Sequence, residues 1–250
     1  MMTIFQDQLS FPTDAVPPAG PLPPDAEVLA LRSSTGEELH GVYFPPAAGS
    51  PGPAMLVLGF GGNAWNGQHV AEYLHDIFPQ AHVAAFHYRG YRPSGGRPSA
   101  EALLEDAPLV LEAAARRAGA GQVIAVGFSI GSGVAASLSD QPLVEGLILV
   151  TPFDSLRAVA ADLYPFFPVG AFFRHEIDAA ALLEGQDVPV ALIAAEKDNI
   201  IPPARTAALR KRIGNLRFDE TLVGAGHNDI YELASFRQAM RNAFSAVAAK

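Results

Sequence analysis

The first candidate for chemistry in this 250-residue chain is a serine between two glycines, in Gly127-Phe128-Ser129-Ile130-Gly131. The apolar run Gln122–Phe128 precedes it and a segment of small residues follows it, which predicts a buried strand that runs into a helix. At such a sharp turn the serine hydroxyl stands above the edge of the sheet, and glycines two positions away let the strand and helix pack closely. The pattern favours a nucleophilic Ser129, and the alternative is a structural turn serine.

A serine nucleophile needs a base that takes its proton. Two histidines follow Ser129 in the chain. His227 lies in a glycine-containing loop just after the predicted strand Arg217–Val223, where the base of such an architecture belongs. His175 lies in the polar segment Arg174-His175-Glu176, which we expect to be a solvated surface. We therefore predict His227 as the base.

The base in turn needs an acid that orients it, and the chain order in this architecture is serine, acid, histidine. Asp198 follows the predicted strand Pro189–Ala195 and fits this order. Asp154, which follows the preceding predicted strand, is the competing candidate. Asp229 is too close to His227 in sequence to orient it well. We predict Asp198 as the acid.

The oxyanion that forms during acyl transfer needs hydrogen-bond donors. One donor is predicted to be the backbone N–H of Ile130, directly after the serine. The second is predicted to come from the loop Gly59-Phe60-Gly61-Gly62-Asn63-Ala64-Trp65-Asn66, whose glycines allow a close approach of the backbone to a substrate. We assign it to Asn63, with Gly62 as the alternative; an ordinary tight turn is the other interpretation of this loop.

These residues require a scaffold in which short apolar strands alternate with helices. This pattern predicts an α/β fold with a mostly parallel sheet and helices on both faces. We expect one domain over residues 26–250, preceded by a Pro-rich arm over residues 1–25 that is extended and poorly packed. The predicted strands are Glu27–Arg32, Leu39–Phe44, Met55–Leu58, His82–Tyr88, Gln122–Phe128, Leu147–Val150, Pro189–Ala195 and Arg217–Val223. The predicted helices are Gln68–Ile77, Ser99–Arg117, a helix to about Ser139, Pro203–Arg212 and Ile230–Ala249.

An apolar, aromatic stretch at residues 163–173 lies inside a segment, about 155–185, that we predict to be a short lid-like insertion. Its aromatic residues are predicted to form a wall for an acyl or aromatic group; the alternative is an ordinary strap packed on the sheet. These residues are Tyr164, Phe166, Phe167, Phe172 and Phe173. Phe60 and Trp65 of the glycine-rich loop are predicted as further substrate contacts.

Composition excludes several other classes of function. The chain has 17 Lys and Arg against 26 Asp and Glu, a net charge of −9, which disfavours nucleic-acid binding. It has no cysteine, so a thiolate zinc site and a cysteine nucleophile are excluded. No signal peptide or membrane span is apparent, and we expect a cytoplasmic protein without a cofactor. The polar residues His69, Glu72, His75 and Asp76 are expected to form an exposed helix face rather than a metal site.

Taken together, these motifs resemble the α/β-hydrolase superfamily, and within it the Bem46-like small serine hydrolases, over roughly residues 26–248. The markers occur in order along the chain. They are Gly62-Asn63-Ala64, Tyr88-Arg89-Gly90-Tyr91 with Ser94, Gly96 and Pro98-Ser99, the turn at Ser129, Thr151-Pro152-Phe153, Asp198 with Ile201-Pro202, and Gly226-His227. The resemblance implies an eight-stranded, mostly parallel sheet and hydrolysis of an ester, thioester or amide without a metal.

The sequence departs from that family at two positions. Gly61 stands where relatives usually have a histidine that supports the oxyanion loop, and Arg92 replaces a glycine. Arg89 is expected to hold its own loop rather than to act in catalysis. We predict hydrolysis of a carboxylic ester or thioester of a small or acyl substrate. An aminopeptidase, a carbon–carbon bond hydrolase and a non-catalytic binding protein of the same fold remain alternatives.

Overall fold

A computed structural model describes residues 10–49, 55–166 and 173–249. In this part of the chain one eight-stranded sheet has the strand order β1-β2-β4-β3-β5-β6-β7-β8. Strand β2 is antiparallel to both β1 and β4, and all other neighbouring strands are parallel. The strands are β1 Glu27–Arg32, β2 Glu38–Phe44, β3 Met55–Phe60, β4 His82–Phe86, β5 Gln122–Phe128, β6 Val144–Val150, β7 Val190–Ala195 and β8 Leu216–Leu222. The predicted α/β fold class, with its eight-stranded and mostly parallel sheet, is confirmed.

Helices connect the strands. They are α1 Gly67–Ile77, α2 Ala100–Ala118, α3 Ile130–Ala136, α4 Leu156–Leu163, α5 Ala179–Leu183, α6 Pro203–Arg210 and α7 Ala234–Ala248. The predicted final helix is divided, because Leu233 is extended between the 3-10 turn Ile230–Glu232 and α7. Within the described ranges, none of the helices combines the length and the apolar character needed to cross a membrane.

Two apolar layers enclose the sheet. Helices α1 and α7 pack on one face, against inward side chains such as Val57 and Val126. Helices α2 and α3, together with the segment after β6, pack on the opposite face, against side chains such as Leu58 and Ala125. Every residue of β3 and β7 is buried, as expected for central parallel strands that are covered on both faces.

Polar side chains define where the helices near the candidate site begin. Asn66 caps α1 by accepting a 2.9 Å hydrogen bond from the backbone N–H of His69. Ser99 caps α2 in the same way, accepting a bond from Ala102 N–H. Such caps satisfy backbone donors that have no partner within the helix. They also fix the position at which the preceding loop ends.

Most of residues 12–25 of the arm before β1 are exposed. Phe11 is the exception in the described part of the arm, because it is only 3 % exposed and packs edge-on against His175. His175 is therefore buried rather than part of a solvated surface. His75 of α1 stacks on Phe44 instead of facing only water. Burial of these apolar rings offsets the cost of ordering the chain.

Candidate active site

The turn that carries Ser129 is sterically tight. Ser129 has φ of +53° and ψ of −118°, a backbone conformation that non-glycine residues rarely adopt. A Cβ added at Gly127 would lie 2.2 Å from the carbonyl oxygen of Gly131, and one added at Gly131 would lie 2.2 Å from that of Phe60. Both positions must therefore be glycine if α3 is to pack directly on the ends of β3 and β5. The predicted steric reason for the Gly-x-Ser-x-Gly spacing is present in the structure.

The structure brings together the three side chains predicted to form a triad. His227 Nε2 lies 3.0 Å from Ser129 Oγ, and His227 Nδ1 lies 2.8 Å from Asp198 Oδ2. The other carboxylate oxygen of Asp198 accepts hydrogen bonds from the backbone N–H groups of Ile200, at 2.9 Å, and Ile201, at 2.7 Å. Both Asp198 and His227 are buried, which favours fixed orientations for these two side chains.

These contacts define the proton positions. A carboxylate only accepts hydrogen bonds, so the imidazole proton of His227 lies on Nδ1, facing Asp198. Nε2 is then left with a lone pair that accepts the Ser129 hydroxyl proton. The arrangement is one in which a serine hydroxyl can be deprotonated as it attacks.

The two other aspartates considered as the acid form different contacts. Asp154 forms an ion pair with Arg205, 3.3 Å from its Nη1, and not with His227. Asp229 accepts a 2.6 Å bond from the backbone N–H of Gly226 and so stabilises the turn around His227.

The loop after β3 lies directly beside the serine. A Cβ built on Gly62 would lie 3.8 Å from Ser129 Cβ. The carbonyl of Gly62 accepts a 3.2 Å hydrogen bond from Trp65 N–H. Because a trans peptide directs its C=O and N–H to opposite sides, this bond also fixes the direction of the Asn63 N–H.

Two tyrosine hydroxyls hold this loop from outside. Tyr88 donates to the carbonyl oxygen of Gly61 and Tyr91 to that of Asn63, each at 2.7 Å. These carbonyls belong to the peptide planes on either side of the one that carries the Asn63 N–H. Burial raises the pKa of both phenols above its usual range, so the hydroxyls stay protonated donors.

The sequence reasoning did not identify this role of the two tyrosines. It recognised the segment Tyr88-Arg89-Gly90-Tyr91, but an aromatic residue next to a glycine does not reveal which backbone carbonyl its hydroxyl reaches. The tyrosines also explain why the missing histidine at Gly61 does not leave the loop unsupported. A Cβ at Gly61 would lie 2.9 Å from Val70 Cγ2, so the loop packs too closely against α1 for a larger side chain.

Arg89 has the structural role that the sequence predicts. Its Nε donates to Asp106 Oδ2 at 3.0 Å, its Nη2 donates to Asp106 Oδ1 at 2.5 Å, and its Nη1 donates to Thr35 Oγ1 at 2.9 Å. The hydrogen bonds to Asp106 raise the pKa of the guanidinium. The bidentate pair connects the loop after β4 to α2 and leaves the reacting groups to other residues.

An aromatic cluster couples the loop after β3 to the loop that carries His227. The Trp65 ring lies 5.1 Å from that of Phe128, the residue before the serine, and 5.3 Å from that of Tyr231. Tyr73 of α1 donates a 2.7 Å hydrogen bond to the Tyr231 carbonyl. Packed aromatic rings of this kind resist relative movement of the segments that carry them.

The predicted substrate-contacting residues have different environments. Phe60, predicted as a substrate contact, is 4 % exposed and packs in the apolar layer formed with α2 and α3, so it is a core side chain. Trp65 is partly buried in the aromatic cluster. Phe166 is fully exposed and Tyr164 is 43 % exposed. Phe167 and Phe172 lie outside the described residues, and Phe173 is half-buried.

Among the described residues, no group of three or more His, Asp or Glu side chains is arranged to hold a metal ion.

Known proteins resemble this chain in sequence and in fold, although no protein-family model matches the sequence. An uncharacterized protein of Mycobacterium tuberculosis is 32% identical over 224 residues, which cover 85% of this chain and 78% of that protein. The lysophosphatidylserine lipase ABHD12 of Gallus gallus is 30% identical over 181 residues, 64% of this chain and 47% of the lipase. The crystal structure of an alpha-beta hydrolase from Vibrio vulnificus has a TM-score of 0.75 at 19% identity and covers 99% of this chain and 92% of its own. With its sheet order, its strained serine turn and these relatives, the chain belongs to the α/β-hydrolase superfamily.

Proposed function

We propose that the protein is a serine hydrolase that cleaves a carboxylic ester or thioester of a small or acyl substrate. The observation that carries this proposal is the continuous hydrogen-bonded series from Ser129 Oγ through His227 to Asp198, at 3.0 Å and 2.8 Å. The sequence relationship to a lipase, an ester hydrolase, supports the choice of an ester bond. The backbone N–H groups of Ile200 and Ile201 donate to Asp198 and hold its carboxylate in place.

In the first half of the reaction Ser129 Oγ attacks the acyl carbonyl carbon, and its proton passes to His227 Nε2. The carbonyl oxygen becomes an oxyanion that accepts hydrogen bonds from the N–H groups of Ile130 and Asn63. When this intermediate collapses, the bond to the alcohol or thiol breaks, and His227 returns the proton to the leaving group. Asp198 stabilises the imidazolium while it exists.

In the second half water attacks the acyl-enzyme. His227 accepts a proton from the water as it adds to the carbonyl carbon, and the same two N–H groups hold the second oxyanion. Collapse breaks the bond to Ser129 Oγ, which regains a proton from His227. The products are the carboxylic acid and free enzyme, so the cycle needs no further reactant besides water.

Intact-mass spectrometry after incubation with a fluorophosphonate tests the assignment. We expect one phosphonyl adduct on the wild-type protein and none on Ser129→Ala. Ser137→Ala is the matched control. Ser129 directly precedes α3 and Ser137 directly follows it, and the Ser137 hydroxyl donates to Val134 O at 2.7 Å. This control should be labelled like wild type. A folded wild-type protein that takes up no adduct would refute the proposed function.

A panel of esters and thioesters of graded acyl length then defines the substrate class. Wild-type turnover should be lost in Ser129→Ala, by about 10⁴-fold to 10⁶-fold in kcat. If amide substrates are turned over and esters are not, the ester assignment is wrong although the triad is correct. The panel also tests Phe166 as part of an acyl wall, since Phe166→Ala should then reduce long-chain turnover more than short-chain turnover.

A further inference from the structure

The Pro-rich arm is largely exposed but is attached to the rest of the protein at specific points, and the proposed reaction gives it no role. We propose that residues 10–22 pass over the carboxyl edge of the sheet beside Ser129 and limit the size of the group that reaches the nucleophile. This inference rests on the proposed function for its meaning in catalysis, but the barrier itself is a steric property that can be measured without turnover.

One end of the arm is attached on the face of the sheet that carries α2 and α3. Phe11 belongs to the apolar layer on that face, and its ring lies 5.1 Å from that of His175. His175 lies two residues before Ile177, whose Cγ2 would lie 2.5 Å from a Cβ at Gly133 of α3. Phe11 therefore packs on the segment that covers the helix directly after Ser129.

The other end is attached on the opposite face, at the beginning of α1. Asn66 Nδ2 donates a 2.9 Å hydrogen bond to Pro17 O. Gln68 Nε2 donates to the carbonyls of Gly20 and Pro21, each at 3.3 Å. Asn66 is completely buried and Gln68 is nearly so. Both donors also lie within three residues of Trp65, in the candidate oxyanion loop.

The arm must cross the edge of the sheet to join these two attachments. Asn66 follows β3 and His175 follows β6, and in the sheet β5 lies between those two strands. Ser129 stands at the carboxyl end of β5. The six Cα–Cα steps from Phe11 to Pro17 span at most about 20 Å when the chain is extended. A chain this short that links both faces passes close to the nucleophile.

The composition of the arm suits a fixed barrier. Proline restricts φ and has no N–H, so a segment rich in proline loses little entropy when it is ordered and offers its carbonyl oxygens as acceptors. The side-chain amides of Asn66 and Gln68 use these acceptors. Because Phe11 is buried against His175, it fills space in the protein and is not presented to a substrate. The arm therefore excludes large groups instead of binding them.

The absence of cysteine from the chain allows a direct test. Ser129→Cys introduces a single thiol at the position of the nucleophile. Its reaction rates with a small reagent, iodoacetamide, and a bulky one, fluorescein maleimide, measure steric access without catalysis. The ratio of bulky to small rates is compared with the arm intact and with the arm loosened by a second substitution.

Two substitutions loosen the arm at different ends. Asn66→Asp keeps the oxygen that caps α1 but removes the donor to Pro17. Phe11→Ala removes the ring packed on His175. Asn215→Asp is the matched control, because the Asn215 amide also donates to a backbone carbonyl, that of Asp187 at 2.7 Å, at the opposite end of the sheet.

We expect Asn66→Asp to raise the ratio of the fluorescein maleimide rate to the iodoacetamide rate by about fivefold. Loss of one ordinary hydrogen bond changes the fraction of molecules with a displaced arm by about this factor. Phe11→Ala should raise the same ratio by at least about tenfold, and Asn215→Asp should leave it unchanged. An unchanged ratio in both arm variants would overturn the proposal, and so would an equal rise in the control. Failure of the proposed function would instead appear as absent fluorophosphonate labelling in the protein that retains Ser129.

With the catalytic serine in place, the same arm variants should raise kcat/KM for long-chain esters relative to acetate esters. A fall in that ratio would show that the arm binds the acyl chain and would contradict its role as a barrier. Emission from Trp65, the only tryptophan in the chain, reports whether the adjacent loop changes in these variants.

Discussion

Tyr91→Phe is the substitution that best tests how the candidate oxyanion loop after β3 is held. It keeps the buried ring, which packs edge-on against Tyr88, and removes only the hydroxyl that donates to Asn63 O at 2.7 Å. Such a bond contributes about 1 kcal/mol net, so the free energy of unfolding should fall by about that amount. The peptide planes around the Asn63 N–H would then be held less firmly.

The effect on activity follows from the same magnitude. Complete loss of an oxyanion donor costs about 10²-fold to 10³-fold in kcat. Loosening the loop by about 1 kcal/mol should cost less, about fivefold to tenfold. Because the oxyanion exists only in the transition state and intermediates, kcat should fall while KM stays nearly constant.

Steady-state kinetics with p-nitrophenyl acetate and urea denaturation together provide the measurement. Tyr43→Phe is the matched control: Tyr43 is equally buried, and its hydroxyl lies 2.6 Å from His82 Nδ1, at the beginning of β4 and at the far end of the sheet. The control should lose similar stability and no kcat. If Tyr91→Phe loses stability but keeps its full kcat, or if both variants lose kcat equally, the hydroxyl does not position the oxyanion loop.

Three further predictions concern other parts of the site. Asp198→Asn should lower kcat by about 10⁴-fold in the ester assay while leaving fold and thermal stability nearly intact, because the amide favours the wrong imidazole tautomer. Gly131→Ala should prevent native folding, seen as loss of the near-ultraviolet circular dichroism signal, because its Cβ would lie 2.2 Å from Phe60 O; a folded, active variant would contradict this. Burial, with smaller contributions from His40 and His69, lowers the pKa of His87 to about 4. The unfolded chain therefore binds this proton more tightly, and the free energy of unfolding should fall by up to about 3 kcal/mol as the pH drops from about 6.5 to about 4. His87→Asn, which can still accept the bond from Gly67 N–H, should lose that part of the pH dependence in denaturation curves.

Much of the fold could be predicted from local patterns. Strand β5 has the predicted bounds because a continuous apolar run bounded by Gly121 and Ser129 suits only a strand covered on both faces. The beginning of α2 follows from Ser99, whose side chain caps a backbone donor three residues later. The final helix was predicted too long, because apolar spacing alone does not reveal that Leu233 is extended.

The candidate site was predictable to the extent that its residues follow strands. In a parallel sheet the carboxyl ends of the strands meet at one edge, so Ser129, Asp198 and His227 could be assigned from their positions after β5, β7 and β8. The burial of His175 could not, since its polar neighbours suggested a surface and its partner, Phe11, lies 164 residues away in the chain.

The sequence alone therefore determined the strand–helix alternation, the glycines on either side of the serine and the order of the three candidate catalytic residues. Each of these depends on periodicity or on sterics within a few residues. Only the tertiary structure decided that Tyr88 and Tyr91 hold the loop after β3 and that the Pro-rich arm is attached beside it. Those contacts join residues far apart in the chain, and a hydroxyl or amide has the same local sequence signature whichever backbone carbonyl it reaches.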